Sequence, residues 1–250
     1  MRRICARIFC AGVLVTVWAA ASPAFAQSSA PDSPWSIEFG IGWDNGISGN
    51  INSSAVGEIN NQVVVVTRNS YEEVYGTGLH LRFGGGYMLN TNTEIRGTFA
   101  FQSLDADFIV PMGDIGVSNL YGQFSDYQTL SLDFGLRRYA ELKPNLLAYG
   151  EGTIGLGFVD KIDVGLVAPG ANLASQNNDF YDQTAAFTVG VNVGLLVQTS
   201  QKVGLFGQLG LRFVTGMSEV DDLVGTGLDT INDKSSRWTL PFVGGVRFRF

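Results

Sequence analysis

The chain has 250 residues, a formal net charge of −7 at pH 7 and 32 glycines. An acidic balance of this kind argues against nucleic acid as a partner. Both cysteines, Cys5 and Cys10, lie near the N-terminus in a segment that we expect to be removed. The mature chain is therefore expected to hold no disulfide and no thiolate metal site. No residue pattern in the chain predicts a cofactor.

Residues 1–26 have the pattern of an export signal peptide. Arg2 and Arg3 open a basic segment, residues 8–21 are apolar, and Ala24 and Ala26 form a small-x-small cleavage site. Cleavage removes three arginines and no acid, which takes the net charge to −10. Residues 27–33 are then expected to form a short periplasmic segment ahead of a single domain, residues 34–250.

Apolar residues alternate with polar or small residues in eight segments of this domain. They fall close to residues 35–43, 75–87, 94–102, 129–137, 149–158, 187–197, 203–213 and 237–250. A period of two predicts strands with one apolar face. Each segment is near the ~9–11 residues that a tilted strand needs to cross a bilayer.

The connections between these segments alternate in length. The long ones cover residues 46–73, 105–126, 160–182 and 215–234, and the short ones cover residues 90–93, 140–145 and 199–202. Long outside loops and short periplasmic turns are typical of outer-membrane barrels. We therefore predict an all-β fold, an eight-stranded antiparallel up-and-down transmembrane β-barrel with both termini periplasmic. A soluble lipocalin-like barrel is the alternative.

Aromatic residues near the strand ends of the apolar face indicate which side meets lipid. Their spacing brackets the ~25 Å apolar band that aromatic girdles flank in membrane barrels. The predicted girdle comprises Trp35, Trp43, Tyr75, Tyr87 and Trp238.

The opposite face carries charges of both signs at mid-strand. The predicted lumen network comprises Glu38, Arg82, Glu94, Arg96, Asp133, Arg137, Glu151, Arg212 and Arg247. Buried charges should pair, because an unpaired one costs several kcal/mol. These residues are expected either to fill the lumen or to line a narrow, switchable pore. Glu38 and Arg247 should approach each other where the first and last strands close the barrel.

The remaining candidates for chemistry favour no enzyme. His80 is the single histidine and shares the inward parity of Arg82, so we expect a hydrogen-bonded lumen residue rather than a catalytic base. The long loops are rich in acids, which predicts a hydrated acidic rim, with divalent-cation bridging to lipopolysaccharide as the alternative. Within the first loop, residues 63–66 are four consecutive valines. They predict either a hairpin extending above the membrane or a contact site for a partner.

The last strand ends on apolar and aromatic residues of one parity: Phe242, Val246, Phe248 and Phe250. This ending resembles the C-terminal signal that the barrel-assembly machinery recognises in outer-membrane proteins. Residues 34–250 resemble the small outer-membrane barrel superfamily, which includes the OmpA transmembrane domain, OmpX, the opacity (Opa) proteins and the "porin family" barrels. The resemblance implies the bacterial outer membrane as location, with lipid, lipopolysaccharide and the assembly machinery as partners.

Two functions follow as expectations from the pattern and the resemblance. The first is a structural or adhesive surface barrel with a plugged lumen, whose loops contact a host or surface ligand. The alternative is a narrow channel for small or apolar solutes, as in OmpW-like barrels. The deacylases of this architecture place a histidine late in the chain, and here no histidine follows His80.

Overall fold

The computed structural model describes residues 34–174, 178–220, 226–232 and 235–250. The predicted signal peptide and the segment 27–33 lie outside the described residues. Among the described residues, no helix is long and apolar enough to cross a membrane.

Strands account for most of the described chain. They are β1 (Trp35–Asn52), β2 (Ala55–Ile59), β3 (Gln62–Val66), β4 (Asn69–Ser70), β5 (Gly78–Asn90), β6 (Thr93–Leu104), β7 (Val110–Ile115), β8 (Ser118–Phe124), β9 (Tyr127–Lys143), β10 (Leu146–Val159), β11 (Ile162–Ala168), β12 (Leu173–Ala174), β13 (Asn178–Asp182), β14 (Thr184–Gln198), β15 (Val203–Val214), β16 (Ser218–Glu219) and β17 (Arg237–Arg249). One helical turn, α1 (Tyr71–Val74), follows β4, and Pro169–Ala171 form a 3-10 turn.

Eight long strands close into an antiparallel barrel. Their order is β1-β5-β6-β9-β10-β14-β15-β17, and β17 pairs with β1 to complete the circle. Each strand neighbours the next along the chain, so the topology is up-and-down. The predicted all-β fold and its eight-stranded barrel are confirmed.

The strand register sets the slant of the barrel. Starting from Phe39 on β1 and following register partners across β5, β6 and β9, one reaches Leu156 on β10. The partners on the way are Phe83, Phe99 and Leu132. Pairs on the other side lead through Val246, Leu205 and Val197 to Leu146 of the same strand. The two paths end ten residues apart on β10. This stagger accompanies a strand tilt of about 35–45°.

The short turns lie at one end of the barrel, which we call the short-turn end. Two of them fall near the predicted positions, after Asn90 and after Gln198. The third is tighter than predicted, because β9 runs on to Lys143 and leaves only Pro144 and Asn145 before β10. Asn145 has a positive φ of 68°, a conformation that asparagine adopts more readily than most residues.

The long connections do not remain irregular loops. Segments β2, β3, β7, β8, β11, β13 and β16 pair side by side into a second sheet, with β12 added to β11; we call it the loop sheet. The four valines lie in β3, which forms a hairpin with β2. This hairpin is one of the two alternatives that the sequence predicted for these residues. Asn60 and Asn61 have φ of 53° and 60°, which fits a two-residue type I′ turn.

The loop sheet encloses an apolar core above the barrel. Its largest members include Ile51, Val64, Tyr71, Tyr75, Leu104, Met112, Leu120, Tyr127, Phe180, Tyr181 and Ile231. Leu104, Tyr127, Val159, Ala186 and Val214 are the inward residues at the upper ends of five barrel strands. The inward-facing residues of the strands are therefore charged within the barrel and apolar where the strands approach the loop sheet.

The outer wall of the barrel is a belt of exposed apolar side chains. It includes Phe39, Ile41, Leu81, Phe83, Ile95, Phe99, Leu130, Phe134, Ile154, Leu156, Phe187, Val191, Leu195, Leu205, Leu209 and Phe242. All eight barrel strands contribute. A soluble protein rarely exposes a contiguous apolar patch beyond a few hundred Å², and a larger one marks a partner or membrane surface.

Candidate functional site

The lumen contains most of the charge buried in the barrel. Strand alternation aims every second residue inward, so β1 and β6 direct Glu38, Glu94 and Arg96 into the lumen while their neighbours face out. All three are nearly inaccessible to solvent. Because polar residues alternate with apolar ones along each strand, the sequence pattern alone positions these charges.

Arg137 is the centre of the network. It donates to Glu38 Oε1 at 2.6 Å and, through Nε, to Glu151 Oε2 at 2.7 Å. Its guanidinium also lies 4.0 Å from the ring centroid of Tyr149. Arg96 donates to the second oxygen of Glu38 at 2.7 Å. Two carboxylates are thus held between guanidiniums on β5, β6 and β9, because Arg82 also donates to Glu151 at 2.7 Å.

Glu94 forms the second half of the network. It accepts from Ser36 Oγ and from the Tyr139 hydroxyl, each at 2.5 Å, and from Arg247 at 2.8 Å. Arg247 also donates to the Tyr139 hydroxyl. Counted together, Glu38, Glu94 and Glu151 face four guanidiniums, so this level of the lumen carries one excess positive charge.

The seam residues approach each other as predicted. Glu38 and Arg247 are register partners on β1 and β17, and Arg247 Nη1 lies 3.7 Å from Glu38 Oε1. Each, however, has a closer partner of opposite charge, Glu94 for Arg247 and Arg137 for Glu38. The seam pair is therefore one contact within a network rather than an isolated ion pair.

A cluster of apolar side chains lies beside the network in the lumen. Leu196, Phe206 and Val243 project inward from β14, β15 and β17 and pack with Met88, Tyr139 and Tyr149. An eight-stranded barrel has an interior just wide enough for side chains to fill. Together the ionic network and this cluster draw on all eight strands.

The two remaining predicted charges lie higher in the lumen. Arg212 and Asp133 approach to 3.4 Å, and Asp133 also accepts from Thr188 at 2.6 Å. They border a cavity of about 30 Å³ that His80 and Arg82 also line. Because one water needs roughly 10–15 Å³ of such space, the cavity has room for about two waters. Within the described residues, no group of three or more His, Cys, Asp or Glu is arranged to hold a metal ion.

A third charged level lies near the loop sheet, and the predicted network did not include it. Gln102 bridges Asp44 and Arg237, donating to the first and accepting from the second. The guanidinium of Arg237 lies 3.8 Å from the centroid of the Tyr127 ring. Asp44 shares the inward parity of Glu38, which was the signal that could have found it.

Four of the five predicted girdle residues lie on the outer wall. At the short-turn end, Trp35 and Tyr87 form an edge-to-face pair with centroids 4.7 Å apart. At the other end Trp43 stacks on Phe242 at 5.0 Å, and Trp238 packs on Phe213 at the same distance.

The prediction for Tyr75 is wrong. Its side chain is only 2% exposed and lies in the loop-sheet core, where its hydroxyl donates to the Ser125 carbonyl at 2.9 Å. β5 begins at Gly78, and the α1 turn precedes it, so the parity of the strand does not extend back to residue 75. The alternation that suggested a longer strand is coincidental.

The C-terminal residues with predicted assembly roles lie on the outer wall. Phe242, Phe248 and Phe250 are exposed and Val246 is partly so. The backbone N–H of Phe250 donates to the Trp35 carbonyl at 3.3 Å, across the seam. Their recognition by the assembly machinery stays a prediction.

Comparisons with known proteins found similar chains among solved structures only. No family model matches the chain, and no curated protein does. Among solved structures, Neisserial surface protein A is 11% identical with a TM-score of 0.46, covering 87% of this chain and 98% of its own. OprG of Pseudomonas aeruginosa is 9% identical with a TM-score of 0.44, covering 89% and 98%. The Escherichia coli outer membrane protease OmpT is 7% identical with a TM-score of 0.41, covering 92% and 100%.

The outer wall and the closed topology of the barrel support its assignment to a membrane. The outer wall is apolar around the barrel except at Arg138, the wall has no free edge, and the charged side chains of the lumen network are turned inward. Only closed barrels and helices satisfy all backbone hydrogen bonds in lipid. The chain is an integral β-barrel of the outer-membrane type.

Proposed function

We propose that this protein is a non-conducting outer-membrane barrel with a structural or surface-contact role. In the proposed orientation the short-turn end faces the periplasm and the loop sheet stands at the cell surface. The observation that carries the proposal is a pair of packed levels, the network around Arg137 and the loop-sheet core. We infer that the first closes the lumen below and the second closes it above.

The lower closure supports the absence of a permanent pore. Arg137 and Glu151 have fully buried side chains; Arg137 contacts acids from two other strands, and Glu151 contacts arginines from three. Opening a path through this level would separate carboxylates from guanidiniums in a partly dry interior, which costs several kcal/mol per uncompensated charge.

The upper closure supports a surface role. The loop sheet is a packed structure with its own core, and it presents its acids outward. Exposed acids include Glu58, Glu72, Glu73, Asp105, Asp107, Asp114, Asp126, Asp160, Asp179, Asp182, Glu219 and Asp229, whereas Asp221, Asp222 and Asp233 lie outside the described residues. An acidic surface suits a partner with complementary charge. Bridging of lipopolysaccharide phosphates by divalent cations is the alternative use of the same acids.

The competing function is a narrow channel for small or apolar solutes. The mid-lumen cavity of about 30 Å³ between Arg82 and Arg212 is the feature that favours it. A conduit would require both closures to open. Catalysis is not part of the proposal: His80, 5% exposed, faces that cavity, with the ionic network below it and the loop sheet above.

Single-channel recording in planar bilayers tests the proposal. The refolded mature protein should produce no conductance steps, while the same preparation shows a heat-modifiable band on gels that verifies the folded barrel. Regular steps from the wild-type protein would contradict the closed lumen and favour the channel.

A further inference from the structure

One arginine lies on the outer, apolar wall of the barrel. Arg138 follows the buried Arg137 on β9, so alternation turns it outward, and its side chain is exposed. It shares this face with Phe134 and Leu136, which are 59% and 43% exposed. A charge on the lipid-facing side of a barrel strand is unfavourable unless it reaches the interface.

Strand register gives the height of Arg138 in the belt. Tyr87 pairs with Ile95, and Ile95 pairs with Leu136. The strands are tilted by about 40° and lie about 4.8 Å apart, so each step from one strand to the next along these register partners moves about 3 Å toward the loop sheet. Arg138 lies two residues toward the short-turn end from Leu136, which lowers it by about 5 Å. Its Cα is therefore close to the height of the girdle residue Tyr87, within reach of lipid headgroups.

No described acid on the outer wall lies beside Arg138. Its register partners are Thr93 on β6 and Gly150 on β10, and the adjacent outward residues are apolar or small. The four acids of the lumen network cannot compensate its charge, because the barrel wall separates them from its outward side chain.

A shallow groove runs along the wall next to Arg138. The outward residues of β10 here are Ala148, Gly150 and Gly152, and a Cβ added to Gly152 would meet no atom within 4 Å. Larger outward residues stand on both sides: Leu136 on β9, and Val191 and Val193 on β14, the register partners of the two glycines. The small outward residues of β10 between these larger side chains leave the shallow apolar groove.

We propose that Arg138 and this groove bind one phospholipid of the leaflet at the short-turn end, which is the periplasmic leaflet in the proposed orientation. The guanidinium binds the phosphate, for which its planar donors are suited, and one acyl chain lies over Gly150 and Gly152. The site rests on the proposed function and its orientation in the membrane. Charge complementarity selects the phospholipid, because the groove itself would accept any acyl chain.

Native mass spectrometry of the refolded mature protein in a non-ionic detergent tests this site. The probe is dioleoyl phosphatidylglycerol, compared with dioleoylglycerol, which has the same chains and no phosphate. The wild-type barrel should retain phosphatidylglycerol about tenfold better than dioleoylglycerol, the size expected of a charged hydrogen bond. Inorganic phosphate at the same concentration should leave no adduct, because it lacks the chain that fills the groove.

Three variants assign the effect to its parts. Arg138→Leu should lose the preference for phosphatidylglycerol, and Arg138→Lys should keep most of it. Gly152→Leu, which fills the groove, should weaken retention of both lipids. Arg68→Leu is the matched control, because Arg68 is an exposed arginine beside the loop sheet and its loss should change nothing.

Equal retention of the two lipids by the wild type, or an unchanged preference in Arg138→Leu, would overturn the lipid site. A chain that never gives a heat-modifiable barrel in detergent would instead contradict the proposed function. The two failures are therefore distinguishable.

Discussion

The barrel and the loop sheet are built on the same strand framework with opposite polarity. Inside the barrel, Arg137 and Glu151 are fully buried and the outer wall is apolar. Inside the loop sheet, Val64 and Met112 are fully buried and the exposed surface is rich in acids. The solvent explains the reversal: lipid surrounds the first region and water surrounds the second, so the residue class that faces outward changes with the medium.

This comparison separates two kinds of stability in one chain. The barrel interior depends on paired charges, where removing one partner is costly because it leaves another uncompensated. The loop-sheet interior depends on apolar packing, where a truncation costs transfer energy plus a cavity. Substitutions in one region should therefore leave the other largely intact.

The largest effect is expected for Arg137→Met. Glu38 and Glu151 lose their closest partner, at 2.6 Å each, within a buried network. The free energy of unfolding should fall by about 3–5 kcal/mol. Urea titration in lipid vesicles, followed by tryptophan fluorescence, measures it, and Arg137→Lys should lose less. A midpoint within error of wild type would show that water compensates the lumen charges.

Leu120→Ala should act on the loop sheet alone. Leu120 is fully buried in the loop-sheet core, and truncation of such a residue typically costs about 2–5 kcal/mol. Protease cleavage of the long connections should accelerate while the heat-modifiable barrel persists. Val117→Ala is the control, because Val117 is fully exposed at the turn between β7 and β8. Loss of the whole barrel in Leu120→Ala would show that the two regions fold as one unit.

The barrel could be predicted from the sequence because its rule is periodic. Glu38 and Arg247 were placed at the seam from parity and strand order alone, and they lie in register. Parity also placed Trp35 and Tyr87 on the wall. These predictions need only the two-residue repeat and the closure of the barrel, which do not depend on distant side chains.

The loop sheet could not be predicted in the same way. Its strands are five to seven residues long or shorter, and pairs such as Val65 with Asp114 join different connections. Tyr75 was misplaced because nothing local distinguishes a residue just before β5 from one within it. A hydrogen bond to Ser125 and packing against Tyr127 fix its position, and both are long-range contacts.

High pH should weaken the loop sheet before the barrel. Burial, reinforced by the nearby Tyr127, raises the pKa of Tyr71 and of Tyr75 well above the usual value near 10. Above pH 10 the unfolded segment releases these protons and the folded one retains them, so stability falls as pH rises. Each tyrosine contributes about 1.4 kcal/mol per pH unit. Protease sensitivity of the long connections between pH 9 and 11.5 measures the effect, and Tyr75→Phe should reduce it.

The smallest effect is expected for the coupling of Arg247 to its two acidic partners. Its guanidinium lies 2.8 Å from Glu94 and 3.7 Å from Glu38, its seam partner. Double-mutant cycles with Arg247→Ala, combined with Glu94→Ala or with Glu38→Ala, should give coupling energies within the range of about 0.5–3 kcal/mol for contacting residues. The Glu94 cycle should give the larger value, because Glu38 keeps Arg96 and Arg137 as closer partners.

Urea unfolding in lipid vesicles measures both cycles under the same conditions. A cycle of Arg247→Ala with Asp133→Ala is the control, since the paired residue of Asp133 is Arg212. That control should be additive within about 0.5 kcal/mol. If the seam cycle with Glu38 gave the larger coupling, the closing strands would be held by their own pair. The network would then add little, and the polar interior of the barrel would be a set of separate ion pairs.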